Sequence, residues 1–420
     1  MPTWRDVDAN LSTMTLPHHT SRQGFDPARL ARLDGHFQRY VDDGRLPGFQ
    51  VMISRHGEVV HETVHGYRDV ANQVPFTADT LVRMFSMTKP ITSVAAMMLY
   101  ERGAFELKDE VAKFIPSFAD SRVYREGGAN KPVTKPLTEP VRLWHLLSHT
   151  SGLTYGFHHQ HVTDALYRAA GFEWGAPEGM GLAGACDAWA ALPLAFQPGS
   201  EWLYGVSTDV LGRVVEVVSG MPLDEFFRVE IFEPLGMADT AFSVPEASRD
   251  RCATLYLGQG AAGPAFESPI DLNPPDGMAF FSGGGGLWGT AADYMKFCTM
   301  LLGRGETGGV RLLGNRTVDY MTRNHLPGGA DLESFGRPLF AETTFSGVGF
   351  GLGFSVVIDP VANKVLSSAG DFAWGGAAST AFWCDPVEDL AVVFLTQVLP
   401  SSTYPIRSEL KQLVYQALVD

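Results

Sequence analysis

Strand-forming sequence is confined to the two ends of this 420-residue chain, and that distribution restricts the architectures open to it. Near the start, "GFQVMISRHGEVVHETVHGY" is rich in β-branched residues and bounded by glycine, which predicts two strands joined by a turn near Arg55–Gly57. The last third returns to the same composition in "GFGLGFSVVIDP", "STAFWCDP" and "LAVVFLTQV". Between them, from about residue 105 to 275, the pattern is helix and loop, broken by "EGGANKPVTKP" and "EWGAPEGMGLAG". Helices bracket the whole. "FDPARLARLDGHFQRYVDDG" has Asp26 as N-cap, Pro27 at the first helical position, and Leu30, Leu33, Phe37 and Val41 on one face. The closing "PIRSELKQLVYQALVD" aligns Ile406, Leu410, Leu413 and Leu418. The economical reading is one α/β domain made from residues 1–104 and 277–420, with a mainly helical domain, 105–276, inserted. A cleft between the two is the expected binding site.

Composition narrows the function classes. With 45% hydrophobic and 19% charged residues the chain has ample material for a core. Its 32 basic and 47 acidic residues give a net charge of −15 with no basic run, which argues against nucleic acid and anionic membranes as partners. The four cysteines (Cys186, Cys252, Cys298, Cys384) are scattered and fit a reducing compartment. The opening "MPTWRDVDANLSTMTLPHH" has no apolar signal region, and no run of 18 apolar residues occurs. A cytoplasmic enzyme is the expectation. Oligomeric state is not legible.

Two motifs name incompatible chemistries. "HETVH", His61 to His65, matches the H-E-x-x-H of zinc peptidases. A metal needs both histidines on one helical face. Here Gly66 follows directly and β-branched residues surround the motif, so a strand is predicted, in which side chains at i and i+4 lie roughly 13 Å apart. The motif is read as exposed strand histidines. "HHQH" (His158–His161) sits in a polar loop without a carboxylate at ligand spacing, so no metal site is expected there either. "FSMTKPITSVAAMMLYERG" is the reverse case. A helix from about Thr88 to Arg102 follows Ser86 at once, and Pro90 is tolerable because the first turn has free N–H groups. Ser86 thus meets the positive end of a helix dipole, and Lys89 lies on the same face one turn on. Burial disfavours a lysine's charged form, and the neutral amine can take the serine proton. A second Ser-x-x-Lys, Ser408 to Lys411 in the closing helix, reads as surface decoration. No G-x-S-x-G occurs, which removes the α/β-hydrolase route to an esterase.

Four stretches resemble the serine β-lactamase/penicillin-recognising superfamily, and within it the family VIII carboxylesterases, close to class C β-lactamases: "FSMTKPIT", "LLSHTSGL", "WLYGVSTDVLGRVVEVVSG" and "GGGGLWGTAADYMKFCTMLL". The resemblance implies an antiparallel sheet flanked by the N- and C-terminal helices, with the helical insertion beside it. It implies Ser86 as nucleophile, Lys89 and Tyr204 as the acid/base pair, and no cofactor. The third superfamily motif, usually Lys-Thr-Gly, has its counterpart at Trp374-Gly375-Gly376. The Ser86 and Ala377 N–H groups are then the oxyanion donors, next to a strand edge. His149 in "SHTSG" is structural on this reading, because Lys89 and Tyr204 already fill the base's role. Tyr155 and Phe157, close to "HTSG", are candidates for an acyl-pocket wall.

Two departures bear on substrate. Trp374 replaces a lysine that would bind a β-lactam carboxylate, and Tyr204-Gly205-Val206 lacks the polar residue that holds an amide. The expectation is a serine carboxylesterase acting on short-chain esters through an acyl-enzyme on Ser86. A β-lactamase, a D-Ala-D-Ala carboxypeptidase and an acyltransferase are the alternatives.

Overall fold

A computed structural model of the chain describes residues 14–15, 23–268, 280–337 and 345–420. The opening segment other than Met14–Thr15, and the expected domain boundary at 276/277, lie outside the described residues. Among the described residues nine strands form one sheet: β1 (Met14–Thr15), β2 (Gly48–Arg55), β3 (Glu58–Asp69), β4 (Val74–Pro75), β5 (Val348–Phe350), β6 (Ser355–Val357), β7 (Phe372–Gly375), β8 (Ala381–Asp385) and β9 (Leu390–Leu395). Their order is β1-β3-β2-β9-β8-β7-β6-β5, with β4 on β3, and every pairing is antiparallel. The join between chain ends is β9 against β2, with Val392 opposite Ile53 and Phe394 opposite Val51.

Both sheet faces are covered, which is why β2, β8 and β9 are buried along their whole length. Alternate residues serve different cores. Val51, Ile53, Val392 and Phe394 meet α1 (Pro27–Asp42) and the last helix, Ile406–Tyr415. Met52, Val393 and Leu395 belong to the larger core on the other side, with α2 (Thr88–Glu101) and the helix Ala291–Leu302. That core continues through α3 (Ser207–Ser219), so helices from the middle of the chain and the sheet share one hydrophobic interior. Helix α2 sits at its centre and is buried from Thr88 to Leu99. Asp26 caps α1 by accepting from the Ala28 and Arg29 N–H groups, and Leu30, Leu33, Phe37 and Val41 face inward, as their spacing predicts.

"GFGLGFSVVIDP" supplies two short strands, β5 and β6, because the chain turns between Phe350 and Ser355. Two readings need correction. The stretch around "EGGANKPVTKP" contains a hairpin, Arg122–Glu126 with Val133–Pro136, turning at Gly127 with φ +96°. Its strands are mostly exposed and carry no apolar alternation, so no pattern announced them. The last helix ends at Tyr415, and Leu418 instead bridges to Phe25.

The helix leading into "LLSHTSGL" contributes an acid-sensitive element. His145 is buried in the helix Leu143–Leu147, and its Nδ1 accepts from the Arg142 N–H. Burial, aided by the Arg142 charge, pushes its pKa down to about 3. The unfolded chain therefore binds a proton below about 6.5 that the folded protein refuses, so this contribution is intact above 6.5 and is lost as pH falls toward 3. His145→Gln should remove up to about 1.4 kcal/mol per pH unit from the slope of unfolding free energy between pH 6 and 4, read from urea titrations. An unchanged slope would assign the acid sensitivity elsewhere.

Candidate active site

Ser86 lies in a single helical turn, Phe85–Met87, that runs directly into α2. Phe85 holds φ +45°, a left-handed conformation costly for a side chain of its size, immediately before the candidate nucleophile. The turn is clamped from the glycine-rich passage and the helix after it: the Tyr294 hydroxyl donates to Met87 O at 2.9 Å, and the Leu287 N–H donates to Thr88 Oγ1 at 3.1 Å.

Lys89 is only 2% exposed, and its Nζ donates to Ser86 Oγ at 3.2 Å and to the Gly284 carbonyl at 2.6 Å. The same Nζ lies 4.5 Å from the centroid of the Tyr204 ring and 5.4 Å from that of Tyr155. Tyr204, just ahead of α3, is held by its backbone: His158 Nε2 donates to its carbonyl at 2.7 Å, and the Leu203 N–H donates to His149 O at 2.9 Å. A side chain at Gly205 would collide with the Leu153 carbonyl, so "HTSGL" and the tyrosine stretch can only approach this closely with glycine there. The Trp374 indole N–H donates to the Tyr204 hydroxyl at 3.2 Å. Trp374 is therefore tied to Tyr204 as well as forming an apolar wall.

The third motif gains its edge from unequal strand lengths. β6 pairs with β7 only at Phe372 and Ala373, whereas β8 continues opposite Trp374 and Gly375. Past that point one side of β7 faces the cleft. The Gly376 backbone passes so close to the Met84 carbonyl that a Cβ would strike it, which brings the turn after β7 against the approach to Ser86. Gly376 N–H donates to Thr380 O at 2.9 Å, and Arg407 Nη2 donates to Gly376 O at 3.0 Å. Among the described residues no group accepts from the Ala377 N–H. Ser86, Tyr155, Tyr204, Trp374, Gly375, Gly376 and Ala377 all line one cleft of about 840 Å³, and Val206 lies in its wall.

Three residues here, Asp209, Ser282 and Gly284, owe their place in the site to contacts between distant parts of the chain. Asp209, one turn into α3 and buried, accepts from the Ser282 hydroxyl at 2.5 Å and from the Gly284 N–H at 3.0 Å. The residue whose carbonyl receives Lys89 is thus held through its own N–H by a carboxylate. Burial pushes the Asp209 carboxyl up, and the nearby Lys89 charge and the Ser282 hydroxyl oppose that push. "SGGGG", followed by a helix, was the available clue, since side chains at Gly283 and Gly284 would meet Thr208 O and the Asp209 carboxylate.

The H-E-x-x-H histidines lie apart from this site. His61 and His65 lie on β3, opposite Ile53 and Phe49. His61 is buried rather than exposed, with Nε2 2.8 Å from Asp34 Oδ1, because its face of the sheet packs on α1. In "HHQH", His158 is buried against Tyr204, His159 pairs with Glu173 at 3.3 Å and His161 caps the helix Val162–Ala169. Among the described residues no three His, Cys, Asp or Glu side chains form a group able to hold a metal ion. His149 packs its ring 5.0 Å from Tyr204 and 5.6 Å from Phe350, and burial and the Lys89 charge hold its pKa well below the usual histidine range. Lys411 of the second Ser-x-x-Lys is not surface decoration: it pairs with the buried Asp371 at 2.6 Å.

The β-lactamase family model matches residues 33–416, nearly the whole chain. The chain belongs to the β-lactamase family. Its relatives include Protein Rv1367c of Mycobacterium tuberculosis, 34% identical over 88% of this chain and 90% of that protein. Esterase EstB of Burkholderia gladioli is 30% identical, covering 93% and 96%. Among solved structures, EstCE1, described as a hydrolase with promiscuous acyltransferase activity, superposes with a TM-score of 0.77 at 28% identity, covering 92% of this chain and 99% of that one. The fold, the sheet with its flanking helices, and membership of a superfamily of serine hydrolases and acyltransferases follow from this match. No helix among the described residues is long and apolar enough to cross a membrane.

Proposed function

We propose that this chain is a serine carboxylesterase that forms an acyl-enzyme on Ser86 and acts on esters with short acyl groups. The observation that carries the reading is the contact between Lys89 Nζ and Ser86 Oγ, made inside a largely apolar cleft with Tyr204 packed over the same ammonium. The Tyr204/Lys89 pair takes the Ser86 proton as the serine oxygen bonds to the ester carbonyl carbon. The resulting oxyanion is received by the Ser86 and Ala377 N–H groups. The C–O bond to the alcohol then breaks, and the alcohol leaves with the proton held by the pair. Water repeats the sequence on the acyl-enzyme, giving the acid and restoring Ser86. No metal or cofactor enters this sequence. A cytoplasmic setting is supported by the four cysteines, which are all free thiols.

Substrate choice follows from what stands beside Ser86. A motif-three lysine would offer a charge-assisted bond worth about 1.5–3 kcal/mol to a β-lactam carboxylate. Trp374 offers a flat apolar wall, and its one N–H is already engaged by Tyr204. Val206 withholds an amide partner. On p-nitrophenyl esters of graded length, assayed beside a chromogenic cephalosporin and a penicillin, the C2–C6 esters should turn over well. Cephalosporin hydrolysis should be feeble at most, and the penicillin should remain intact. Trp374→Lys should weaken ester hydrolysis without producing an efficient β-lactamase. Penicillin cleavage faster than p-nitrophenyl butyrate would replace this reading with the β-lactamase alternative. Acyl transfer to an alcohol is the second reading, favoured by the apolar cleft, in which an alcohol can displace water from the acyl-enzyme.

A further inference from the structure

One wall of the cleft is a stack of aromatic rings that leads away from the candidate base. Tyr155 stands edge-on to Tyr204, with centroids 5.5 Å apart. Phe157 stacks on Tyr155 at 4.6 Å and 18°, and Trp174 stacks on Phe157 at 5.3 Å and 11°. The stack is built rather than incidental. A side chain at Gly156 would collide with the Phe172 carbonyl, so the two loops touch through their backbones, and Arg168 donates to the Gly156 carbonyl from the adjoining helix. Burial, with the Asp209 charge nearby, pushes the Tyr155 phenol well up, so the inner ring is neutral. The outer ring is the unusual one: Trp174 is 66% exposed and lines the mouth of the cleft.

We propose that this stack is the subsite for the alcohol half of the ester, and that it takes an apolar arm ending in a flat aromatic ring. This inference rests on the esterase reading and names its substrate class. The argument is one of order. In the first half-reaction the alcohol must leave while the acyl group stays bonded to Ser86, so the alcohol belongs on the side that opens to solvent. The stack runs to that side, ending at the exposed Trp174, whereas the buried Val206 and Trp374, which donates to the Tyr204 hydroxyl, border the part nearest Tyr204 and limit the acyl group. Tyr155 and Phe157, candidates for an acyl wall on sequence grounds, are thereby assigned to the opposite half of the substrate. An aliphatic arm spanning the inner two rings places a terminal aryl group on the solvent-facing indole. The same subsite would hold an acceptor alcohol during acyl transfer.

The test keeps the acetyl group fixed and varies only the arm. 4-Phenylbutyl acetate is compared with 4-cyclohexylbutyl acetate, and the reversed esters, ethyl 4-phenylbutanoate and ethyl 4-cyclohexylbutanoate, are run in parallel with ethyl acetate on a pH-stat. Ring stacking predicts an aryl preference of about threefold to tenfold in kcat/KM, carried by KM, for the acetate pair alone. Trp174→Ala should bring that ratio close to one, and Trp174→Phe, which keeps a ring, should retain most of it. Equal turnover of the acetate pair, a preference confined to the reversed pair, or a ratio unmoved by Trp174→Ala would each overturn the proposal while leaving the esterase reading standing. Failure to hydrolyse ethyl acetate and all four arm-bearing esters would instead remove the esterase reading, and this inference with it.

Discussion

Lys89→Ala and Tyr204→Phe should each lower kcat for p-nitrophenyl acetate by about 10²–10⁴-fold, the usual effect of removing a positioned proton carrier. The double variant should be scarcely worse than either single one, because the two side chains act on one proton. The geometry behind this is the placement of Lys89 Nζ 3.2 Å from Ser86 Oγ and 4.5 Å from the Tyr204 ring. Lys89 is also packed in the core, so Lys89→Met, which retains the apolar stem, separates lost chemistry from lost packing. Thermal unfolding of each variant checks that the fold survives. Losses that multiply in the double variant would mean that the residues serve separate steps, and labelling of a serine other than Ser86 by a fluorophosphonate would move the site altogether.

Asp209→Ala should be the next most damaging change, although Asp209 is given no step in the reaction. It deprives the Ser282 hydroxyl and the Gly284 N–H of their acceptor, at about 1–3 kcal/mol for the Gly284 donor, which is left buried and unpaired, while the half-buried Ser282 hydroxyl can turn to the cleft. With its N–H released, Gly284 no longer fixes the carbonyl that receives Lys89, and misplacement of a catalytic group by about 1 Å costs on the order of 10²-fold. Asp209→Asn keeps an oxygen facing both donors and should recover most of kcat. If asparagine proved as damaging as alanine, the negative charge rather than the hydrogen-bond geometry would be the feature that matters. Wild-type kcat in Asp209→Ala would remove Asp209 from the positioning of Lys89.

Ser86 and Lys89 could be picked out as candidates from the sequence because a serine before a helix with lysine one turn on is a feature of a few consecutive residues. Tyr204 became a candidate through the resemblance of its stretch to the superfamily. The sheet was legible for the same reason: β2, β3, β8 and β9 are dense in β-branched and aromatic side chains. What escaped depends on distant partners. Lys89 and the Gly284 carbonyl are 195 positions apart, and nothing local to "SGGGG" or to Asp209 says that they meet. His158 looked like part of a polar loop because its partner is a backbone carbonyl 46 positions on. Lys411 looked like decoration because Asp371 is 40 positions away. His61 lies in a strand as its neighbours indicate, but its burial depends on the packing of α1 across that face.

The aromatic wall has a consequence for how relatives of this protein can diverge. Its rings come from a segment that alternates two duties: Tyr155 and Phe157 turn toward the cleft, while His158, the very next residue, holds the Tyr204 carbonyl. Mutational drift can therefore remodel the cleft-facing positions 157 and 174 while the surroundings of Tyr204 are kept, provided that 158 stays constant. A combinatorial library aimed at new alcohols should randomise Phe157 and Trp174 and leave His158 fixed. Insertions between 157 and 158 would shift the register of the two duties and inactivate most clones, whereas insertions at the solvent-facing Gly175 would be tolerated. Lineages built on this scaffold would then differ most in the length and composition of the Trp174 loop.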